Sequence, residues 1–498
     1  MSVSLSRGGI LGQYGPDSGS VPTSTQVHLR LSYLVKAAQL RYWALPALLT
    51  AIVVSFRAGD AGLWRDEIAS WSAATRPVGE IIAMGRNIDG VLVPYYLFLH
   101  AWIGVFGDSV LAMRVPSIIA MTATAAVVAL LARRWWGESA GLLAGLLFAV
   151  VPAVSRYGQE IRGYAPAALF VMLATLLLTI ALDRSRWWTW SLYAGCVTLA
   201  GLSHLLSLLV LTGHAVLVLV VDRRRAPWWA LAAALGLGTV LLAVRSGLGQ
   251  QSAQLNWLHP ADFKTLTELP GSLFEVPVLG GAVCALALGA RRSPAAILWA
   301  AVLLPVGLLF GYDHWRAPIF VPRYLLYLVP LLCVLAGAAL AALRRPVALA
   351  AVLALGLIGL PSQQSIRRAH SPWDYRAAAD VLLDHQVAGD GIVYAPRADW
   401  SVVDLGLSYY LRSRAPRDLL VVRDERANAS LWATECATCL SGTQRIWVVA
   451  ADNIDPSFRA TDTNQLAAAT RTALAPYHRS ASYRVSGFTV TLFAAPLR

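Results

Sequence analysis

Two adjacent carboxylates, Asp66 and Glu67, follow the first long apolar run, in the segment Trp64-Arg65-Asp66-Glu67. Adjacent carboxylates repel each other, which raises the pKa of one of them or attracts a cation. Such a pair suits a general base that takes a proton from a hydroxyl, or a ligand pair for a divalent metal. It is equally compatible with a solvated loop, so the rest of the sequence has to decide.

A second polar group lies between two apolar runs and has the sequence YGQEIRGY, residues 157–164. A simple turn needs Gly, Asn or Asp, and it has no need of Gln, Glu and Arg. Glu160 and Arg162 could simply form an ion pair with each other and have no further role. They can also hold a sugar and a phosphate, because arginine presents a fixed fork of donors that fits phosphate.

Two further polar residues stand at the ends of apolar runs. Arg323, followed by Tyr324, precedes one such run, and His204 follows Ser203 at the junction of two others. An arginine at this place often only directs its charge towards the membrane interface. A single histidine there is more often structural than catalytic, so both interpretations stay open for these two residues.

The composition indicates a polytopic membrane protein. Hydrophobic residues make up 57% of the 498 residues and charged residues 14%, against about 25% charged residues in soluble domains. The mean hydropathy of +0.56 agrees. These values exclude a soluble globular enzyme and a disordered chain. The net charge of +13 is explained by arginines that orient membrane helices, so we expect no nucleic-acid partner.

Eleven apolar runs predict eleven membrane spans, with the N-terminus in the cytoplasm. The runs are 43–57, 109–132, 138–154, 164–182, 188–204, 205–221, 228–244, 276–290, 294–311, 324–342 and 346–360. This count puts every compact arginine cluster between spans on the cytoplasmic side, as the positive-inside rule requires. These clusters are Arg133-Arg134, Asp183 to Arg186, Arg223 to Arg225, Arg291-Arg292 and Arg344-Arg345. The polar groups described above then all lie at the outer face.

The sequence predicts three regions: a disordered cytoplasmic tail (1–40), a transmembrane domain (41–361) and a small extracytoplasmic α/β domain (362–498). The first outer loop, 58–108, carries the carboxylate pair, and its apolar part 91–106 predicts an interfacial helix. In the third region, helical spacing over 374–385 is followed by short apolar segments that predict strands at 392–395, 419–422, 445–450 and 488–495.

A CxxC pair, Cys436 and Cys439, lies in this third region. Outside the cytoplasm a structural disulfide is favoured. A redox pair or half of a zinc site are the alternatives, and no second CxxC or paired histidine supports zinc.

With these motifs assembled, the sequence resembles the polytopic glycosyltransferases of the C-type fold (GT-C), which use lipid-linked sugars. It is most similar to bacterial relatives of protein O-mannosyltransferases and of the aminoarabinose transferase of lipid A. The matching segments are Asp66-Glu67, YGQEIRGYA at 157–165, SHLL at 203–206, FVPRYLLYLVP at 320–330, and WDYRAAADVL with GDGIVYAP in the third region. The resemblance covers most of residues 40–498.

The resemblance implies a transferase at the outer face of the plasma membrane. It would move a sugar of the mannose or arabinose class, with inversion, from a polyprenyl phosphate to a hydroxyl of a glycan, lipid or protein. Asp66 would be the base, and Glu67 would support it or bind a metal or the acceptor. Glu160 would contact donor or acceptor, and Arg162 and Arg323 would hold the phosphate. The other predicted substrate-binding residues are Tyr157, Gln159, Tyr164, His204 and Tyr324.

Metal dependence differs within this group of enzymes, and no His-rich or DxD signature accompanies Asp66 here. We favour metal independence, with Mg²⁺ or Mn²⁺ on Asp66 and Glu67 as the alternative. Two other functions predict different sequence features from those of a transferase. A flippase or transporter of lipid-linked sugars would place ionisable residues in mid-span and show two related halves. A non-catalytic cell-envelope assembly protein would keep the fold and lose the chemistry.

Overall fold

The computed structural model describes residues 42–245, 247–250, 258–397, 401–440, 442–452 and 464–496. The predicted tail, 1–40, lies outside the described residues. Up to residue 368 the described chain is mainly helical. Its α-helices are α1 (Tyr42–Ser55), α2 (Arg65–Ala74), α3 (Val78–Asn87), α4 (Val93–Phe106), α5 (Val110–Trp136), α6 (Glu138–Val150), α7 (Pro152–Gly158), α8 (Tyr164–Asp183), α9 (Trp187–Ser203), α10 (Val210–Asp222), α11 (Ala226–Val244), α12 (Phe263–Phe274), α13 (Pro277–Leu288), α14 (Ser293–Trp315), α15 (Leu328–Leu340) and α16 (Arg345–Arg368).

Each of the eleven apolar runs overlaps one of these helices. By length and composition, five helices in the described part of the chain are long and apolar enough to cross a membrane, or up to seven if each bent pair is one span. Shorter apolar helices cover Tyr42–Ser55, Gly90–Phe106 and Leu328–Leu340. The chain is therefore a helical membrane protein, while the number eleven and the interfacial position of 91–106 stay predictions.

Two sharp bends interrupt apolar helices. The axis turns by 63° between α6 and α7, where Val151 has extended backbone and Pro152 begins the next helix. Proline disfavours helical geometry in the residue before it and cannot donate its own N–H. A 97° bend separates α12 from α13 at Glu275, which has a φ of +62°. The first bend brings the end of α7 and the loop 159–163 towards the first outer loop.

After residue 368, helices alternate with strands. The elements are α17 (Tyr375–His385), β1 (Gly391–Ala395), α18 (Val403–Leu411), β2 (Arg417–Asp418), β3 (Val421–Arg423), β4 (Thr434–Glu435), β5 (Arg445–Ala451), α19 (Ala468–Leu474), β6 (His478–Val485) and β7 (Phe488–Ala494). Among the described residues, five strands form one sheet in the order β2-β1-β5-β7-β6. Strand β1 is parallel to β2 and β5, and β7 is antiparallel to β5 and β6.

Most of the predicted strands coincide with strands of the structure, and two differences have clear causes. The predicted strand 419–422 is interrupted, because Asp418 Oδ1 accepts hydrogen bonds from the backbone N–H groups of Leu420 and Val421. Aspartate commonly forms such a turn with its own backbone. Strand β6 was not predicted because its sequence, HRSASYRV, is polar. It is an exposed edge strand that pairs only with β7.

The sheet region packs directly on the first outer loop through a shared apolar core. Leu63, Ile68 and Tyr96 from the loop join Tyr375 and Trp447 from the sheet region, all fully or almost fully buried. Hydrogen bonds reinforce this contact, with the Leu63 N–H donating to the Tyr410 hydroxyl at 2.8 Å and Arg76 donating to the Ser430 carbonyl at 2.7 Å. These contacts with the sheet region therefore fix the position of the loop that carries the carboxylate pair.

Candidate active site

Asp66 lies in the first turn of α2 and faces three arginines. Its Oδ1 is 3.5 Å from Arg65 Nε, and its Oδ2 is 3.6 Å from Arg162 Nη2 and 3.8 Å from Arg323 Nη2. In the described part of the chain no group donates a hydrogen bond to this carboxylate. Its side chain keeps 15% of its surface exposed. Asp66 is thus surrounded by positive charge and still accessible to a ligand.

The arginines decide the ionisation of Asp66. Burial alone would raise its pKa, but the charges of Arg162, Arg323 and Arg65 outweigh burial and hold the pKa below its usual value. Asp66 is therefore ionised at neutral pH. It is a weaker base than a solvated aspartate for as long as these arginines face it.

Glu67, the next residue, is placed quite differently. Its carboxylate is fully buried and accepts from Arg114 twice, Nε to Oε1 at 3.0 Å and Nη2 to Oε2 at 2.7 Å. The backbone N–H of Ile161 donates to Oε1 and that of Trp64 to Oε2, at 3.1 and 3.3 Å. Burial raises the pKa of Glu67, but Arg114 and His370 lower it much further. Glu67 therefore ties α2 to α5 and to the loop 159–163.

The loop 159–163 divides its polar residues between packing and the site. Gln159 is fully buried, and its amide nitrogen donates to the carbonyls of Val54 and Phe56 at 2.7 and 3.2 Å. Its predicted role in substrate binding has no support in these contacts, which join the loop to the first helix. Arg162 faces Asp66 and also donates to the Tyr96 hydroxyl at 3.4 Å, while its Nε is buried without a partner in the described residues.

Glu160 is a buried acid beside the cluster, with 1% of its side chain exposed. One of its oxygens accepts from Arg156 Nη1 at 2.9 Å, and its Oε1 is buried without a partner in the described structure. Burial raises the pKa of Glu160 to about 7, although Arg156 opposes the shift. Glu160 therefore changes its charge near neutral pH.

Aromatic side chains form one wall of the site. Arg323 Nε donates to the Tyr164 hydroxyl at 3.2 Å, and the rings of Tyr164 and Tyr324 stack with centroids 6.5 Å apart. The His204 ring lies 5.2 Å from Tyr164 and 5.1 Å from Tyr324. Tyr157 packs against Tyr164 with ring centroids 5.6 Å apart.

The structure adds site residues that the sequence analysis did not select. The Trp64 ring lies between two guanidinium groups, 5.0 Å from that of Arg156 and 6.0 Å from that of Arg323. His370 Nδ1 lies 3.4 Å from Arg156 Nη1 and 3.7 Å from Glu67 Oε2. Arg156 directly precedes the YGQEIRGY segment, and this position is the sequence feature that could have identified it as a site residue. His370 follows the last long helix, and no sequence pattern marks it.

Cys436 and Cys439 are bonded to each other as a disulfide, with Cα atoms 5.6 Å apart. They lie in the sheet region, next to the two-stranded β3–β4 ribbon, and belong to a separate part of the molecule from the arginine cluster. Among the described residues, no hydrogen bond or ion pair connects them to Asp66.

The residues around Asp66 do not fit a divalent cation. Arginines occupy the space that a metal would need next to the Asp66 carboxylate, and Glu67 spends both oxygens on Arg114 and two backbone N–H groups. Elsewhere in the described residues, no group of three or more His, Cys, Asp or Glu side chains could hold a metal. We therefore derive no chemical step through a metal ion.

Part of the chain matches a known protein family. Residues 92–247 match the family model of the dolichyl-phosphate-mannose-protein mannosyltransferases, a stretch that includes Glu160, Arg162 and His204. No curated protein is significantly similar in sequence to this chain.

Two crystal structures of ArnT from Cupriavidus metallidurans share the fold. The apo structure superposes with a TM-score of 0.59 at 14% identity, covering 90% of this chain and 97% of ArnT. The structure bound to undecaprenyl phosphate gives 0.58 at 16% identity, covering 91% and 98%. Identity this low shows the fold. Taken with the family match over residues 92–247, it agrees with the resemblance found in the sequence: the chain is a membrane protein with the C-type fold of these glycosyltransferases.

Proposed function

We propose that this protein transfers a sugar from a polyprenyl-phosphate donor to an acceptor hydroxyl, with inversion, and that Asp66 is the base. One observation carries the proposal: an accessible carboxylate faces three arginines at 3.5 to 3.8 Å and receives no hydrogen bond from the described residues. A structural ion pair would close to hydrogen-bond distance, as that of Glu67 and Arg114 does. The open arrangement suits a site that takes a further anion.

The donor phosphate is the anion that fits. Arg162 and Arg323 present guanidinium donors beside Asp66, and the buried Nε of Arg162 has no partner in the described residues. Arginine binds phosphate through two parallel hydrogen bonds. The ArnT structure bound to undecaprenyl phosphate supports a polyprenyl phosphate as ligand of this fold.

The chemistry follows from this placement. Asp66 accepts the proton of the acceptor hydroxyl, whose oxygen bonds to the anomeric carbon from the face opposite the phosphate. The bond between that carbon and the phosphate oxygen breaks, and its electron pair leaves with the polyprenyl phosphate. Arg162 and Arg323 stabilise the charge that develops on the leaving phosphate. Such electrostatic stabilisation by fixed donors is usually the largest single contribution to the rate of an enzyme.

A bound donor would make Asp66 a better base, because its phosphate would neutralise the arginines that face the carboxylate. In the free protein these arginines lower the pKa of Asp66. The carboxylate then regains basicity at the moment an acceptor needs it. Donor binding before acceptor binding is the order that this arrangement favours.

Charge distribution supports a site at the outer face of the plasma membrane. The compact arginine clusters between apolar runs fall on one side of the predicted topology, and Asp66, Arg162 and Arg323 fall on the other. We propose a cytoplasmic tail at 1–40, a transmembrane domain at 41–361 and an outer domain at 362–498. Mannose and arabinose are the proposed sugars, with a glycan, lipid or protein as acceptor.

A donor panel tests the proposal. Purified protein in detergent is incubated with polyprenyl-phosphate mannose, polyprenyl-phosphate arabinose and the corresponding sugar nucleotides, together with a cell-envelope extract as acceptor. We expect release of polyprenyl phosphate from one lipid donor and no turnover of the sugar nucleotides. Turnover of a sugar nucleotide without the lipid would contradict the proposed donor class.

A further inference from the structure

A second polar cavity lies in the sheet region, at the edge where β1, β2 and β5 begin. Its volume is about 730 Å³. The loops before these three strands line it, and two of them contain glycines with positive φ, Gly389 at +92° and Gly442 at +86°. The proposed transfer reaction does not use this cavity, although the GDGIVYAP motif begins in its wall with Gly389 and Asp390.

The charge of the cavity is positive and partly unneutralised. Arg414, Arg417 and Arg445 line it, together with a single acid, Asp390. Asp390 is already satisfied: Arg445 Nε donates to its Oδ1 at 2.8 Å, and Trp447 Nε1 donates to its Oδ2 at 2.8 Å. The guanidinium groups of Arg414 and Arg417 are exposed and have no hydrogen bond or ion pair with the described residues.

The cavity also offers an acceptor for a hydroxyl group. Gln386 lines it, and its amide nitrogen donates to the Arg414 carbonyl at 3.0 Å. The amide oxygen of Gln386 is buried and has no partner among the described residues. Two free guanidinium groups beside an unpaired acceptor match a ligand that carries both negative charge and hydroxyl groups.

The position of the cavity limits the ligand further. Strand β5 has seven residues, which span about 23 Å at about 3.3 Å per residue. The cavity lies at its beginning, whereas its far end meets the active site, where Trp373 donates to the Asp452 carbonyl and Arg65 lies over the Trp373 ring. A ligand that reaches both places is longer than a single sugar.

We propose that this cavity binds an acidic segment of an extended carbohydrate acceptor, through Arg414 and Arg417. This inference rests on the proposed function, which supplies the acceptor. It assigns to the sheet region the selection of acceptors with negative charge, at a distance from the transferred sugar.

The test measures binding separately from transfer. Full-length protein carrying Asp66→Asn is titrated with a trigalacturonate probe, with maltotriose as a neutral probe of the same length, and with inorganic phosphate. We expect trigalacturonate to bind, with an affinity that falls as salt rises, and maltotriose and phosphate to bind at least about tenfold more weakly. Equal binding of maltotriose would overturn the charge requirement, and equal binding of phosphate would overturn the carbohydrate requirement.

Variants locate the site. Removing two charge-assisted contacts in Arg414→Ala/Arg417→Ala should weaken trigalacturonate binding about tenfold or more. Arg426→Ala, an exposed arginine of the same region outside the cavity, should leave binding unchanged. The same loss in both variants, or in neither, would overturn the proposal. If the wild type releases polyprenyl phosphate but no variant affects trigalacturonate, the proposed function stands and only this inference fails.

Discussion

Replacing Glu67 by Gln tests whether the two adjacent carboxylates have separate roles. Each oxygen of Glu67 accepts from Arg114 and from one backbone N–H. A glutamine must therefore turn its amide nitrogen towards two donors, whichever way it is oriented, and leave the buried Arg114 without its counter-charge. Breaking a buried ion pair in this way costs about 3–5 kcal/mol of folding free energy.

The lower end of that range is expected here, because Arg114 keeps its hydrogen bonds to the carbonyls of Ala58, Ala61 and Gly62. A loss of about 3 kcal/mol should lower the unfolding temperature of a chain this long by about 3 °C. Intrinsic fluorescence of the 18 tryptophans in detergent measures this directly.

Asp66→Asn is the matched control. Asp66 makes only longer contacts to its arginines and accepts no hydrogen bond from the described residues, so the variant's loss of stability should be well below that of Glu67→Gln while its transfer activity is lost. An unchanged unfolding temperature for Glu67→Gln, or an equal drop for Asp66→Asn, would refute the separation of a structural glutamate from a catalytic aspartate.

Three further predictions concern the phosphate site, a buried acid and the disulfide. Arg323→Ala should raise the KM for the lipid donor about 10- to 100-fold, the loss of one charged hydrogen bond, and leave the KM for the acceptor unchanged; an effect on the acceptor alone would contradict the phosphate role. Because the pKa of Glu160 is raised to about 7 in the folded protein, folding favours the protonated side chain. This contribution to the free energy of unfolding is complete below about pH 4.5, near the ordinary pKa of glutamate, and it is lost as the pH rises through 7. The wild-type unfolding temperature should therefore fall more steeply between pH 5 and 7.5 than that of Glu160→Gln; parallel curves would refute this. Reduction should expose two thiols, Cys436 and Cys439, to labelling beyond the other three and cost about 2 kcal/mol because the closed loop is short; unchanged labelling would exclude the disulfide in the purified protein.

Residue type and predicted topology were enough to select three residues that the structure brings together. Asp66, Arg162 and Arg323 come from segments far apart in the chain, yet each is a charged residue at the predicted outer end of an apolar run, where charge without a partner is costly. The structure places the guanidinium groups of Arg162 and Arg323 within 4 Å of the Asp66 carboxylate. The chain's helical membrane character followed from composition alone.

The sequence did not separate the roles of neighbouring residues. Asp66 and Glu67 look equivalent in a motif, and only the position of Arg114, 47 residues further along, shows which of them is buried and paired. The direction of the Gln159 side chain could not be predicted either. It depends on the carbonyl groups of Val54 and Phe56, about a hundred residues earlier, to which Gln159 donates. His370 entered the site through packing of the sheet region, which local sequence patterns do not encode.

The most direct test of the central claim is a single-turnover measurement of polyprenyl phosphate release by the wild type and by Asp66→Asn, with the donor identified by the panel and with donor binding measured in both proteins. The account predicts equal donor binding and a rate about 10²- to 10⁴-fold lower in the variant, the usual contribution of a general base. Release at the wild-type rate by Asp66→Asn, with binding intact, would contradict it.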